Sequence, residues 1–112
     1  MSHDLLEKIL SSQIKSDINI IANFFDGYKK GDFIYPSVLK RKLNIDDKEI
    51  YIILSNLEKA GLLKINYEYF CYNCNTSSNI YEYYSDLPDL YTCENCDDDL
   101  TLENVKVVYK VI

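Results

Sequence analysis

Four cysteines in two identical pairs constrain the fold of this chain more than any other feature. Cys71 and Cys74 form one C-x₂-C pair, Cys93 and Cys96 form the second, and residues 75–92 separate them. This spacing is typical of zinc sites, because each pair makes a tight turn that directs two sulfur atoms at one point. The sequence therefore predicts one structural Zn²⁺ ion bound by Cys71, Cys74, Cys93 and Cys96.

The pattern leaves two other interpretations open: a pair of disulfides, or a thioredoxin-like redox pair. A redox pair belongs at the start of a helix in a βαβ setting, whereas strand-like, aromatic sequence flanks both pairs here. Asn75 and Asp97 directly follow the pairs, and both residue types tolerate the left-handed backbone that such turns need. Four thiolates leave no open coordination position, and the sequence contains no catalytic constellation, so we expect a non-enzymatic protein.

The charge of the chain is concentrated in its second part. Residues 71–112 contain eight acidic residues and two lysines, which accounts for the whole formal charge of −6. An acidic segment repels phosphate and suits a basic protein surface. No apolar run approaches the roughly 18 residues of a membrane span, and the start Met1-Ser2-His3-Asp4 does not resemble a signal peptide. We expect a cytoplasmic protein with no membrane partner.

Apolar periodicity predicts helix from residue 4 to about residue 28, with a break where Ser16 serves as a second N-cap. After a short strand at 33–35, Pro36 opens the next helix, because proline suits the first helical turn. Asp46 or Asp47 caps a further helix, which Gly61 ends as a left-handed residue.

Alternation of apolar and polar residues predicts strands at 62–70, 79–84 and 105–112. In the first strand, Asn66 and Glu68 fall on the polar face. In the last, Val107 falls on the apolar face. We expect this last strand to pair antiparallel with the first, and we expect most of the tyrosines around the cysteines to cover the sheet.

The segment 35–45, followed by Leu54-Ser55-Asn56-Leu57-Glu58-Lys59-Ala60-Gly61-Leu62, resembles a winged helix-turn-helix. The resemblance covers residues 17–69 and implies a winged helix at 16–69. Together with the apolar periodicity and the cysteine pairs, it predicts an α+β fold with an N-terminal amphipathic helix at 1–15 and a small antiparallel zinc ribbon at 70–112. An unrelated three-helix bundle is the alternative. The domain order resembles the alpha subunit of general transcription factor IIE and its archaeal relatives, although this chain is shorter and has Asn75 and Asp97 where glycine is usual.

In a DNA-binding winged helix, the helix that begins near residue 46 would enter the major groove. Its first turn is acidic here, which makes a poor surface for phosphate. We therefore expect an adaptor or regulator that acts through a protein partner, with self-association through the N-terminal helix as one option. The alternative is a DNA-binding transcription regulator, and its candidate contacts are Lys29, Lys30, Lys40, Arg41, Lys42, Lys48, Ser55, Asn56 and Lys59.

Overall fold

Helices dominate the first half of the chain, and strands dominate the second. The computed structural model describes residues 3–10 and 17–112. The helices are α1 (His3–Leu10), α2 (Ile18–Asp26), α3 (Pro36–Leu43) and α4 (Asp47–Lys59). The strands are β1 (Phe33–Ile34), β2 (Leu63–Cys71), β3 (Thr76–Tyr81), β4 (Leu90–Thr92), β5 (Asp99–Thr101) and β6 (Val105–Val111). Two 3₁₀ turns, Tyr84–Asp86 and Leu102–Asn104, complete the fold. The predicted α+β class is confirmed.

The helix ends follow from local chemistry. Asp17 caps α2, because its side chain accepts a hydrogen bond from the Asn19 N–H at 2.8 Å. The predicted cap, Ser16, lies outside the described residues. Asp46 caps α4 by accepting from the Glu49 N–H at 2.8 Å, as the sequence predicts.

Proline and glycine also act where the sequence places them. Pro36 occupies the first turn of α3. Gly61 follows α4 with a φ of 80°, a left-handed conformation that costs glycine nothing. These confirmed signals are the most local ones in the chain.

Strands β1, β6, β2 and β3 form a four-stranded sheet in that order, and β4 and β5 form a separate hairpin. β1 is antiparallel to β6, with Phe33 opposite Lys110, and β2 is antiparallel to β3, with Tyr67 opposite Tyr81. The Ile112 N–H donates to the Leu62 carbonyl at 3.1 Å, whereas Lys106 lies over the Phe70 ring. As the residue number rises from 62 to 70 on the β2 side, that of the neighbouring residue on the β6 side falls from 112 to 106. The two strands are therefore antiparallel, as predicted.

The second strand lies three residues earlier than predicted: the sequence predicts 79–84, and β3 spans Thr76–Tyr81. β3 starts at Thr76 rather than at residue 79, because the turn after the first cysteine pair is already complete at Asn75. The β2–β3 register also shifts between Glu68 and Phe70, which inserts one extra residue into β3. Uncharged Thr76-Ser77-Ser78 carries little strand signal on its own, so propensity missed it.

The predicted faces of β2 and β6 were partly wrong. Asn66 and Glu68 are buried, with 4% and 1% of their surfaces exposed. Val107 is 41% exposed, while its neighbour Val108 is fully buried. Both strands lie inside the sheet, and their burial does not alternate residue by residue: β2 buries Glu68, Tyr69 and Cys71, and β6 buries the consecutive residues Val108 and Tyr109.

The described chain forms two compact units. The helical unit comprises Met1–Lys64 with Tyr109–Ile112, and the cysteine unit comprises Ile65–Val108. Each unit has a core of its own buried residues. The helical unit buries Leu6, Leu10, Ile21, Phe25, Ile34, Leu39, Ile53, Leu54 and Leu57. In the cysteine unit the core consists of Tyr69, Cys71, Leu87, Cys93 and Leu100.

Candidate metal centre

The fold brings all four cysteines together in the cysteine unit. Cys71 ends β2, and its pair partner Cys74 lies in the turn that leads to β3. Cys93 follows β4, and Cys96 lies in the turn that leads to β5. The four Sγ atoms all lie within 4.8 Å of one another.

The distances between sulfurs match a tetrahedral metal site. Cys71 Sγ lies 3.5 Å from Cys96 Sγ, and Cys74 Sγ lies 3.6 Å from Cys93 Sγ. Four sulfurs each about 2.3 Å from a central zinc ion would be about 3.8 Å apart. A disulfide bond is only about 2.05 Å long, and all four cysteines are free thiols. The arrangement therefore fits one metal ion better than two disulfides.

The two turns share one geometry. The backbone N–H groups of Asn73 and Cys74 donate to the Cys71 thiol. Likewise, those of Asn95 and Cys96 donate to the Cys93 thiol. Such N–H donors stabilise a thiolate, because they place positive charge at the sulfur.

The residue after each pair is left-handed, as the sequence predicts. Asn75 has a φ of 56° and Asp97 a φ of 61°. This conformation turns the chain away from the sulfurs: the Asp97 N–H donates to the Cys93 carbonyl, and the Cys93 N–H donates to the Asp98 carbonyl, both at 2.8 Å. Non-glycine residues other than Asn and Asp rarely adopt this backbone.

Polar neighbours adjust the thiols individually. Side-chain hydrogen bonds from Asn95 and then Thr76 lower the pKa of Cys74 to about 6, and the Thr76 hydroxyl lies 2.9 Å from Cys74 Sγ. The N–H groups of Cys96 and Asn95 lower the pKa of Cys93. At Cys71 the Cys74 N–H lowers the pKa, but burial and bonds to neighbouring thiols outweigh it and raise the pKa to about 12. The polar neighbours thus favour the thiolate, the form that binds metal, at Cys74 and Cys93.

Tyrosines form much of the core around the thiols, as expected. Tyr69 is fully buried, and its ring stacks on Tyr91 with centroids 5.1 Å apart. Tyr81 contacts Tyr69 edge to face at 6.2 Å. The Tyr69 hydroxyl donates to the Pro88 carbonyl, which ties the segment before β4 to the core.

Other tyrosines point outward. Tyr83 and Tyr84 are 55% and 56% exposed. They belong to the stretch 82–90, which also exposes Leu90 and the acidic residues Glu82, Asp86 and Asp89. We call residues 82–90 the acidic tyrosine segment.

Every basic member of the candidate nucleic-acid contacts is exposed; these are Lys29, Lys30, Lys40, Arg41, Lys42, Lys48 and Lys59. The two candidate base readers, Ser55 and Asn56, are half-buried. The Asn56 amide donates to the Ile52 carbonyl at 2.7 Å, within α4. Lys40 contacts the Asp47 carboxylate at 3.0 Å. The basic residues are therefore accessible, but Lys40 and Asn56 already have partners within the protein.

Sequence reasoning missed the β4–β5 hairpin and two polar neighbours of the thiols. The hairpin strands have three residues each, too few for a periodic signal. Asn95 contacts Cys74 only because the second turn folds beside the first, whereas Thr76 reaches it from two residues along the same segment. A Thr two positions after a C-x₂-C pair was the one available hint.

Comparison of the chain with protein-family models, with curated proteins and with solved structures returns no match. Across the described residues, no helix combines the length and apolar character that a membrane crossing requires.

Proposed function

We propose that the four thiols hold one structural zinc ion in a zinc ribbon, and that the chain is a non-enzymatic adaptor or regulator that acts through protein contacts. The observation that supports the second part most directly is the acidic tyrosine segment. It joins exposed aromatic rings to exposed carboxylates on a unit that the metal would hold together.

Zinc is the metal that this donor set favours. Four thiolates in tetrahedral spacing are typical of structural zinc and of iron–sulfur sites, and paired C-x₂-C turns around one point suit a single ion. No coordination position remains open, which argues against catalysis at the metal. The cysteine unit spans only about 44 residues, Ile65–Val108, and units this small usually need a metal or disulfides to fold.

A winged helix is the interpretation that we favour for the helical unit. In a winged helix, the strand before the second helix pairs with the last strand, and that strand pairs with the one after the third helix. Strands β1, β6 and β2 have this order in the sheet. Along the chain, β1 lies between α2 and α3, β2 follows α4, and β6 comes last, which is the expected sequence of elements. The zinc ribbon would then be an insertion in the wing, between β2 and β6. The likeness in domain order to the alpha subunit of transcription factor IIE remains part of this proposal.

Charge favours a protein partner over nucleic acid. The cysteine unit contains nine acidic residues and one lysine, a formal charge of −8 before metal is counted. Four thiolates on Zn²⁺ would add about −2. The first turn of α4 carries Asp47 and Glu49, so the helix that would enter a DNA groove begins with two carboxylates. A basic protein surface complements this distribution, and Tyr side chains are common anchors in such interfaces.

An affinity capture from the native host tests the adaptor proposal. The wild-type chain should retain a specific partner, and Tyr83→Ser combined with Asp86→Asn should lose it. Tyr72→Ser is the matched control, because Tyr72 is 58% exposed in the same unit but lies outside the acidic tyrosine segment. A partner retained equally by all three proteins would contradict this role for the segment.

DNA binding is the second candidate, because all seven basic candidate residues are exposed. A fluorescence anisotropy titration at low salt separates the two functions. Binding that weakens steeply with salt, and that falls when Arg41 and Lys42 are changed to Ala, would support the regulator. Absence of binding at low salt would leave the adaptor.

A further inference from the structure

Helix α2 carries more apolar surface than its unit buries. Its sequence INIIANFFD has six apolar residues in nine, yet only Ile21, Ala22 and Phe25 are buried. Ile20 is 55% exposed, and Phe24 is half-buried. A helix that borders solvent normally has one apolar stripe, so a second stripe of large side chains indicates a contact surface.

This second stripe forms one wall of a groove between α2 and α3. The groove has a volume of about 500 Å³, within the range of ligand-binding clefts. Among the described residues it is lined by Ile20, Asn23, Phe24, Gly27, Tyr28, Lys42 and Leu43. The Phe24 and Tyr28 rings lie 5.3 Å apart, and Gly27, having no side chain, leaves room beside them.

We propose that this groove binds an acidic amphipathic helix of a partner protein. The stripe from Ile20 to Tyr28 is about 12 Å long, which corresponds to two turns of a helix laid along it. Apolar side chains at positions i, i+3 or i+4, and i+7 of that helix would fill the groove.

The charge of the groove selects an acidic occupant. Lys42 is the one charged residue among the described lining residues, and none of them is a carboxylate. Arg41, beside it in sequence, is also exposed. Lys40 differs, because its ammonium group already contacts Asp47 at 3.0 Å. A carboxylate on the partner helix would therefore pair with Lys42.

This inference rests on the proposed adaptor function, and it assigns a binding surface that the acidic tyrosine segment does not include. The two surfaces differ in chemistry: one is apolar with a cationic edge, and the other is aromatic and acidic. Variants of each can thus be tested separately.

The groove can be blocked without disturbing the backbone. Gly27 has a φ of −76° and a ψ of −9°, which any residue adopts, and a Cβ atom there would meet only the Phe24 carbonyl oxygen at 3.8 Å. Gly27→Leu should therefore fold and fill the groove. Glu58→Leu is the control, because it adds the same side chain at an exposed position of α4 that does not line the groove.

The probe is a phage-displayed library of 16-residue helical peptides selected on the full chain, with each selected peptide resynthesised carrying fluorescein. We expect selected sequences to combine the apolar spacing with acidic residues. Gly27→Leu should weaken their binding at least tenfold, and Glu58→Leu should leave it unchanged. Lys42→Glu should weaken it about two- to fivefold or more, as loss of an exposed ion pair does, and exchange of the peptide's Glu for Lys should restore it.

Four results would overturn the proposal, and the last of them leaves the adaptor function intact. The first is a selection that yields no peptide, and the second is binding that Gly27→Leu does not weaken. The third is self-association of the wild type in sedimentation that Gly27→Leu abolishes, which would make a second copy the occupant. If host partners are lost with the Tyr83→Ser and Asp86→Asn double variant but kept with Gly27→Leu, the groove proposal fails while the adaptor function stands.

Discussion

Replacing Tyr69 with Phe removes one hydroxyl group from the centre of the cysteine unit. The Tyr69 side chain is fully buried, and its hydroxyl donates to the Pro88 carbonyl. Burial, followed by the nearby Tyr81, raises the pKa of Tyr69, so the hydroxyl keeps its proton and remains a donor. The Phe ring fills the same space, so the stack on Tyr91 persists and the change isolates the hydrogen bond.

The expected magnitude follows from what the substitution leaves behind. Pro88 is half-buried, so its carbonyl can turn to water, and loss of the hydrogen bond should cost about 0.5–1.5 kcal/mol. Tyr91→Phe is the matched control, because its ring belongs to the same stack while its hydroxyl hydrogen-bonds the half-buried Ser78 and lies 3.4 Å from the exposed Glu94 carboxylate. Loss of these solvent-accessible contacts should cost no more than about 1 kcal/mol.

Native-state hydrogen exchange measures both variants in the intact protein. For amides of β2 within the cysteine unit, 0.5–1.5 kcal/mol corresponds to exchange about 2- to 12-fold faster for Tyr69→Phe. The control should change exchange by no more than about fivefold. If Tyr69→Phe exchanges no faster than Tyr91→Phe, the Tyr69–Pro88 bond does not stabilise the core as argued.

Three further predictions concern the turns, the ligands and the tyrosines. Asn75→Val should destabilise the cysteine unit by about 1–2 kcal/mol in the same exchange assay, because a β-branched residue disfavours a φ of 56°. Asn75→Gly should not destabilise it, since glycine adopts this backbone freely. Equal effects of the two substitutions would contradict the left-handed turn. Cys93→Ser should abolish metal binding and the exchange protection of residues 65–108, and retained zinc with intact protection would show that Cys93 is not a ligand. Burial raises the pKa values of Tyr69, Tyr91 and Tyr28, so their contribution to stability is present below about pH 10 and is lost as pH rises through the raised values. A spectroscopic alkaline titration should show tyrosines that ionise only with unfolding, and a single step at the ordinary pKa would refute this.

The sequence predicts the cysteine cluster well because its signals are local. A C-x₂-C turn needs only four residues and a following residue that accepts a left-handed backbone, and Asn75 and Asp97 supply this in both turns. The proline in the first turn of α3, the cap at Asp46 and the stop at Gly61 are equally local, and each acts as predicted.

The misplaced elements depend on partners that are distant in sequence. Glu68 and Asn66 are buried because β2 lies between β6 and β3 in the sheet, and the sequence near these residues does not indicate which strands pair with β2. The position of β3 is determined by pairing with β2, including a bulge that propensity does not encode. The groove beside Phe24 was missed because the apolar period in the sequence follows Ile21 and Phe25, and nothing local indicates that Ile20 and Phe24 form a second apolar stripe outside the core.

Metal content tests the central claim most directly. Protein purified without added metal should carry one zinc per chain by native mass spectrometry, with four thiols that resist alkylation until a chelator is added. Replacement by cobalt(II) should give the absorption spectrum of a tetrahedral four-thiolate site. A metal-free protein with two disulfides, or a chain that carries iron in place of zinc, would contradict the account.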